Sequence, residues 1–197
     1  MSAIYLGLPR TGSTYLQNFV FPELEKQGIK VKESESSLFY TYMIDLDYMF
    51  WQCKMLKLRY PDCKVVLGLR DKESWKKSYY SEYIRHGGTY NFSEWCNHFN
   101  MDNVNMDKVK NLIFNAFGKD NVFVYHQKDL DDNLIKDMIS FLGGKPFNVN
   151  GYRINAGYKG KYLRFARWLN RRNWLLNPNF YLQKLNPKFS NRVKKEK

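Results

Sequence analysis

Two short segments of this chain have the residue types and the spacing of an anion-binding site. The first is GLPRTGSTYL, residues 7–16, which lies between a short apolar run and a helical pattern. It fits the phosphate-loop pattern G-x-x-x-x-G-K-S/T, except that Ser13 occupies the lysine position and Arg10 lies inside the loop. A strand, a glycine-containing loop and a helix in this order present backbone N–H groups and a positive helix end to an anion. The alternative is a chance match in an unrelated turn.

The second segment is LGLRDKESWKKSYYSEYIR, residues 67–85. Arg70 falls where a strongly apolar run ends, and Ser78 lies eight residues further on, within a helical pattern. An arginine at a strand end can bind a phosphate with two N–H groups, and a helix hydroxyl can add another hydrogen bond. Taken alone, Arg70 also fits a surface residue or one half of an ion pair.

The elements around both segments alternate between strands and helices. The pattern predicts strands at residues 3–7, 29–32, 63–69 and 122–125, and helices at 14–27, 37–60, 72–85, 92–100, 106–117 and 133–142. This alternation predicts an α/β fold, a three-layer sandwich whose central parallel sheet has helices on both faces. Because ligands of such sheets bind beyond the carboxyl ends of the strands, we expect one shared rim for the loops that begin at Gly7, Glu33, Arg70 and His126.

Composition and charge indicate a folded chain with a basic end. The chain has 197 residues, of which 44% are hydrophobic and 17% aromatic, so it can bury a core. The net charge is +13, and residues 159–197 contain a single acidic residue, Glu196. We predict a core domain over residues 1–155 and a basic helical extension over 156–197. That extension is either a solvated tail or a surface for an anionic partner such as a nucleotide, an acidic glycan, a nucleic acid or a membrane.

Several features bear on compartment, metal and membrane. The three cysteines show no paired spacing, which favours reduced thiols and a cytoplasmic protein. The first strand begins almost at Met1, so we expect no signal peptide. No cluster of His, Cys, Asp and Glu has metal-ligand spacing, and no apolar stretch approaches the roughly 20 residues of a membrane span. The amphipathic residues 165–185 either pack on the domain or contact a membrane surface or a partner peripherally.

Together the two segments resemble the sulfotransferase family that uses 3′-phosphoadenosine 5′-phosphosulfate (PAPS) as its donor. The family loop reads P-K/R-S/T-G-S/T-S/T-W/Y/L, and residues 9–15 match it at every position. The family's second signature is an arginine at a strand end followed eight residues later by a serine, as at Arg70 and Ser78. A weaker likeness covers residues 122–145, where Lys128 stands in place of the family's acidic residue. The resemblance spans about residues 3–155, and the loop pattern is closest to bacterial and tyrosylprotein sulfotransferases.

The resemblance implies direct transfer of the sulfuryl group from PAPS to an acceptor hydroxyl of a glycan, a phenol or tyrosine, or a small alcohol. The product would be adenosine 3′,5′-bisphosphate (PAP), and no metal would be needed. Arg10 would contact the sulfuryl group and the bridging oxygen, where negative charge grows as the bond to sulfur breaks. The implied donor-binding residues are Pro9, Arg10, Thr11, Gly12, Ser13, Thr14, Tyr15, Arg70 and Ser78, with Lys159 and Lys161 as looser matches in a basic, glycine-containing loop.

The acceptor hydroxyl also needs a general base. In the branches of the family that use Glu, this residue commonly follows the second strand, which favours Glu33 first and Glu35 second. Either carboxylate could instead be a solvated loop residue or an acid at a helix N-terminus. His126 ends a predicted strand and is a lesser candidate. His86 could cap a helix end, and His98 falls in an aromatic-rich helix.

Two other function classes compete with sulfuryl transfer. A phosphate-loop kinase for a nucleoside or metabolite would need magnesium and a loop lysine, but the sequence has Ser13 there. A non-catalytic anion-binding module fits the net charge, but no nucleic-acid motif is present, so we expect no nucleic-acid partner. The acceptor is less defined. Residues 35–51 are rich in Tyr, Phe and Met and either line an acceptor cleft or form helix core, and the basic surface favours an acidic glycan.

Overall fold

The computed structural model describes residues 2–8, 10–33, 46–149 and 160–172. The chain divides into two compact units. The first comprises Met1–Lys72 and Asn103–Gly151, and the second comprises Glu73–Asp102 and Tyr152–Lys197. The predicted domain boundary at residue 155 lies outside the described residues and stays a prediction.

The first unit is built on a four-stranded sheet. The strands are β1 (Ser2–Tyr5), β2 (Lys30–Glu33), β3 (Lys64–Leu69) and β4 (Val122–His126). Their spatial order is β2-β1-β3-β4, and each neighbouring pair is parallel. Tyr5 lies opposite Glu33 and Leu69 lies opposite His126, so β1 ends beside β2 and β3 ends beside β4. The predicted parallel sheet is confirmed, and the four loops that follow its strands leave from one edge.

The described part of the chain also has seven longer helices and three short 3₁₀ helices, Met101–Asn103, Lys119–Asn121 and Gln127–Asp129. The longer helices are α1 (residues 13–26), α2 (Leu46–Arg59), α3 (Lys72–Arg85), α4 (Phe92–His98), α5 (Met106–Phe117), α6 (Asp132–Phe141) and α7 (Gly160–Arg172). Alternation along the strands assigns α1, α2, α5 and α6 to the two faces of the sheet. Tyr5 and Val66 pack with α1 and α6, whereas Ile4 and Val65 pack with α2 and α5. The predicted three layers are therefore present in the first unit.

Helix α1 is less regular than its sequence pattern predicts. It begins as an α-helix at Ser13–Tyr15, widens to a π-helix over Leu16–Val20 and returns to an α-helix at Phe21–Lys26. Pro22 explains the interruption, because it has no N–H to donate to the carbonyl of Asn18. The helix stays continuous because the wider turn lies just before the proline.

The three cysteines are free and buried. Burial raises the pKa of the Cys53 thiol to about 12, and it also raises the pKa of Cys63 and Cys96. Because the thiolate is the reactive form, these side chains are poor nucleophiles and act as small apolar core residues.

The second unit packs around aromatic side chains, and the buried Lys76 forms ion pairs with two exposed carboxylates. Trp95 is fully buried among the rings of Tyr79, Tyr80, Tyr83, Phe92 and Phe99. The Lys76 ammonium lies 2.7 Å from a carboxylate oxygen of Asp102 and 2.7 Å from one of Glu73. Hydrogen bonds to Asp102 and then to Glu73 raise the pKa of Lys76, so its charge is retained at any physiological pH.

Candidate active site

The loop after β1 has the backbone geometry of an anion cradle. Arg10 has φ +70° and Gly12 has φ +101°, so the chain passes twice through the left-handed region before α1 begins at Ser13. A Cβ at position 12 would also lie 3.0 Å from Leu130 Cδ2, which favours glycine there. No side chain of the described residues caps this helix start. A helix start of this kind is a common anion-binding site, because its positive end faces the loop.

A network of three buried hydroxyl groups binds the anion loop (residues 7–16) from the protein interior. The Thr11 hydroxyl is buried, donates to the Leu8 carbonyl at 2.6 Å and lies 3.2 Å from the Tyr5 hydroxyl. The Tyr5 and Tyr125 hydroxyls are 2.9 Å apart, and Tyr125 donates to the Thr11 carbonyl at 3.1 Å. Since both the side chain and the carbonyl of Thr11 are bound from inside the fold, the loop backbone is fixed before any ligand arrives.

Two glycines make room for this hydroxyl network. A Cβ at Gly7 would lie 1.9 Å from the Tyr5 hydroxyl. A Cβ at Gly68 would lie 2.6 Å from the Tyr125 hydroxyl and 2.8 Å from the Thr11 hydroxyl. Gly68 lies inside β3, where residues with a side chain are otherwise favoured. Glycine is needed at this position because the Tyr125 side chain passes directly over it.

We expect Gly68→Ala to disturb the loop as well as the fold. The added methyl overpacks the hydroxyl network, which should lower the free energy of unfolding by about 1–3 kcal/mol. It should also weaken anion binding at the loop, because Thr11 must move. Val65→Ala is a matched control, since Val65 is buried in the same strand but packs on the opposite face of the sheet from the loop hydroxyls. Chemical denaturation and PAP titration of both variants provide the measurement. Equal PAP affinity in the two variants would contradict the role of the network.

Arg70 joins the loop from the end of β3. Its Nη1 donates to the carbonyl of Arg10 at 3.1 Å, although sixty residues separate the two in sequence. Leu8 N also donates to the Gly68 carbonyl at 3.1 Å, which extends the β1–β3 pairing up to the loop. The structure therefore brings one of the predicted 3′-phosphate residues to the backbone of the predicted catalytic arginine.

The remaining predicted donor residues are placed in several environments. Ser13 is buried at the start of α1, while Thr14 and Tyr15 are half-buried. Burial, and then the charge of Asp132, raise the pKa of Tyr15, so its hydroxyl stays protonated at neutral pH. In the second unit, Ser78 is half-buried in the second turn of α3, and Lys161 is exposed with its Nζ 5.6 Å from the Tyr162 ring centroid. The predictions for Pro9, Glu35 and Lys159 lie outside the described residues.

The candidate bases differ in how the fold uses them. Glu33 is the last residue of β2. Its backbone therefore lies at the carboxyl end of the sheet, where the anion loop (residues 7–16) follows β1. His126 ends β4 at the same end of the sheet and is exposed. His86 follows the last residue of α3, and its Nε2 lies 3.1 Å from a carboxylate oxygen of Glu82 in the last turn of that helix. His98 packs against the Tyr90 and Phe99 rings. These contacts favour structural roles for His86 and His98.

Tyr5, Tyr125 and Gly68 were not among the predicted site residues. Each of them lies in an apolar run and is therefore interpreted from sequence as an ordinary buried strand residue. The two tyrosines are 120 residues apart, so no local sequence pattern relates them. The available signal was the glycine within the β3 run, because a strand-interior glycine often marks a close approach of another group.

Comparison with known proteins decides the family. The family model described as "Sulfotransferase domain" matches residues 23–138, more than half of the chain. The chain belongs to the sulfotransferase family. The matched residues of this sulfotransferase include Glu33, Arg70 and Ser78, whereas the anion loop lies before them.

Matches to individual proteins add less. No curated protein matches the sequence of this chain at a significant level. A crystal structure of a sulfotransferase from Alicyclobacillus acidocaldarius is similar, with 16% sequence identity and a TM-score of 0.49. That match covers 96% of this chain and 78% of the other chain.

The described residues contain neither a candidate membrane span nor a candidate metal-binding group. No helix there is long and apolar enough to cross a membrane. Within the same residues, no group of three or more His, Cys, Asp or Glu side chains is arranged to hold a metal ion.

Proposed function

We propose that this sulfotransferase uses PAPS as its donor and transfers the sulfuryl group to an acceptor hydroxyl in one direct, in-line step. The observation that carries the proposal is the loop of residues 7–16, which turns into α1 through Gly12 with the Arg70 guanidinium held on its backbone. A left-handed glycine at an uncapped helix start, with a fixed guanidinium beside it, suits a phosphate ester.

The chain's own residues fit such a donor. The Thr11 hydroxyl is occupied inside the fold, so we assign its amide, not its side chain, to the 5′-phosphate. The amides of residues 12–14 and the hydroxyls of Ser13 and Thr14 would complete that subsite, whereas the Tyr15 amide donates to the Gly12 carbonyl at 3.0 Å. Arg70 would bind the 3′-phosphate. The roles of Ser78, Lys159 and Lys161 there rest on the family resemblance alone.

Bound PAPS supplies a sulfuryl group attached to a good phosphate leaving group. Arg10 would neutralise the negative charge that grows on the bridging oxygen as the S–O bond breaks and its electron pair goes to the phosphate. Because this charge is larger in the transition state than in the ground state, Arg10 would accelerate transfer more than it tightens binding. Fixing the loop through Thr11, Tyr5 and Tyr125 avoids the cost of ordering it during the reaction.

The acceptor hydroxyl must lose its proton as the new O–S bond forms. We assign this proton to the Glu33 carboxylate, with Glu35 as the second candidate and His126 as a lesser one. The position of Glu33 at the edge from which the anion loop leaves supports this order. The net charge of +13 favours an acidic acceptor such as a glycan over a neutral one.

Titration of the full chain with PAP tests the donor assignment. We expect micromolar binding by calorimetry that is unchanged when magnesium is removed by chelation. Weaker binding of 5′-AMP should accompany it, because AMP lacks the 3′-phosphate. A preference for ATP with magnesium would overturn the proposal in favour of a kinase. Transfer of radiolabelled sulfuryl from PAPS to a panel of acidic and neutral hydroxyl acceptors would then identify the acceptor.

A further inference from the structure

Helix α7 is a cationic helix, and apart from Lys161 the proposed chemistry does not use its residues. Its 13 residues contain no Asp or Glu. Five of them are basic: Lys161, Arg164, Arg167, Arg171 and Arg172. A positive surface of this density points to an anionic partner, and its neighbouring aromatic residues restrict the kind of partner.

One face of α7 is fixed within the second unit. Ala166 is fully buried and Asn170 is 2% exposed. The Asn170 side-chain amide donates to the carbonyls of Ile84 at 2.8 Å and Gly88 at 2.7 Å. Arg171 Nε donates to the Thr89 carbonyl at 3.0 Å. These bonds join α7 to the end of α3, so they set which residues of α7 face outward.

The outward face carries aromatic rings between the cations. Tyr162, Phe165 and Trp168 are 42%, 44% and 47% exposed. The Phe165 and Trp168 rings stack with centroids 5.8 Å apart, and the Arg172 guanidinium lies 4.8 Å from the Trp168 ring centroid. The Phe165 and Trp168 rings therefore remain exposed although they stack on each other. Trp and Phe interleaved with Lys and Arg are typical of helices that lie in a membrane–water interface.

We propose that α7 docks this sulfotransferase on the surface of an anionic phospholipid bilayer. The rings of Phe165 and Trp168 would enter the headgroup region, while Arg164 and Arg172 would contact lipid phosphates and carboxylates. Charge favours this partner over a second copy of the chain, because two copies of α7 would meet with like charges. The exposed rings favour it over a soluble polyanion, which offers no apolar layer for them.

Vesicle sedimentation of the full chain is the test. Vesicles of phosphatidylcholine with about 30% phosphatidylserine provide the anionic surface, and pure phosphatidylcholine vesicles provide the neutral one. At physiological ionic strength we expect binding to the anionic vesicles at least about tenfold stronger than to the neutral ones. Absence of binding, or equal binding to both, would overturn the proposal.

Two double variants separate the two parts of the surface. Phe165→Ala/Trp168→Ala should weaken vesicle binding about tenfold by removing apolar area, and Arg164→Gln/Arg172→Gln should weaken it about tenfold or more by removing charge. Met55→Ala/Leu58→Ala is the matched apolar control, because these α2 side chains are 60% and 77% exposed. Lys108→Gln/Lys119→Gln is the charge control at exposed positions elsewhere. Neither control should change vesicle binding.

Two further readouts keep the outcomes distinct. Thermal unfolding should be unchanged in all four variants, since the altered side chains are exposed. PAP affinity should also be unchanged, so loss of membrane docking and failure of the donor assignment are separate results. If the charge variant alone weakens binding, and a soluble sulfated polysaccharide competes fully with the vesicles, α7 is a polyanion site and the membrane proposal is wrong.

Discussion

Arg10→Ala is expected to reduce sulfuryl transfer by about 10³-fold or more while the protein stays folded. The guanidinium at this position would counter charge on the bridging oxygen, so its loss should appear mainly in kcat. PAP affinity should fall less, because the loop amides, the Ser13 and Thr14 hydroxyls and Arg70 would remain. Transfer rates under single-turnover conditions, measured beside PAP calorimetry, provide this comparison.

The backbone of Arg10 offers a control that separates charge from folding. Its φ of +70° costs an ordinary residue roughly 1 kcal/mol, and glycine would not bear this cost. Arg10→Gly should therefore fold at least as stably as the parent and still lack transfer. Arg10→Lys should recover part of the rate, because an ammonium supplies charge without the planar fork. Near-normal turnover in Arg10→Ala would refute the assigned role.

The fold was predictable because its signals are local. The bounds of α3 and α5 coincide with the predicted ones. At α5, Asn105 accepts from the N–H groups of Asp107 and Lys108, and Gly118 at φ +84° ends the helix. The strand order β2-β1-β3-β4 was not predicted, because it depends on how distant helices pack across the sheet. The π turn in α1 was missed because helical periodicity does not register one absent N–H at Pro22.

The closeness of Arg70 to the loop of residues 7–16 was predictable from the sequence, whereas the side chains that support the loop were not. Sheet topology places Arg10 and Arg70 at one edge once the strands are parallel, and the structure shows Arg70 on the Arg10 carbonyl. The pairing of Tyr5 with Tyr125 depends on a side-chain contact across two strands that do not neighbour each other. No local pattern encodes such a contact, so the support of the loop becomes visible only in three dimensions.

Arg70→Ala is expected to raise the Kd for PAP by about 10- to 100-fold. This is the usual loss of affinity when one charge-assisted hydrogen bond to a phosphate is removed. The loss should be specific to ligands with a 3′-phosphate. The parent protein should bind PAP more tightly than 5′-AMP, and in Arg70→Ala this preference should largely disappear. Arg70→Lys should retain part of it, because lysine keeps the charge and loses the paired N–H groups.

The contact of Arg70 with the Arg10 carbonyl supplies a competing explanation that the same titrations can resolve. If Arg70 acted only by holding the loop, its removal would loosen the 5′-phosphate subsite. Affinity for 5′-AMP would then fall as far as affinity for PAP, and kcat would fall with both because Arg10 would move. If Arg70 binds the 3′-phosphate, 5′-AMP affinity should stay nearly constant while PAP affinity falls. The ratio of the two affinities thus separates ligand binding by Arg70 from positioning of the loop.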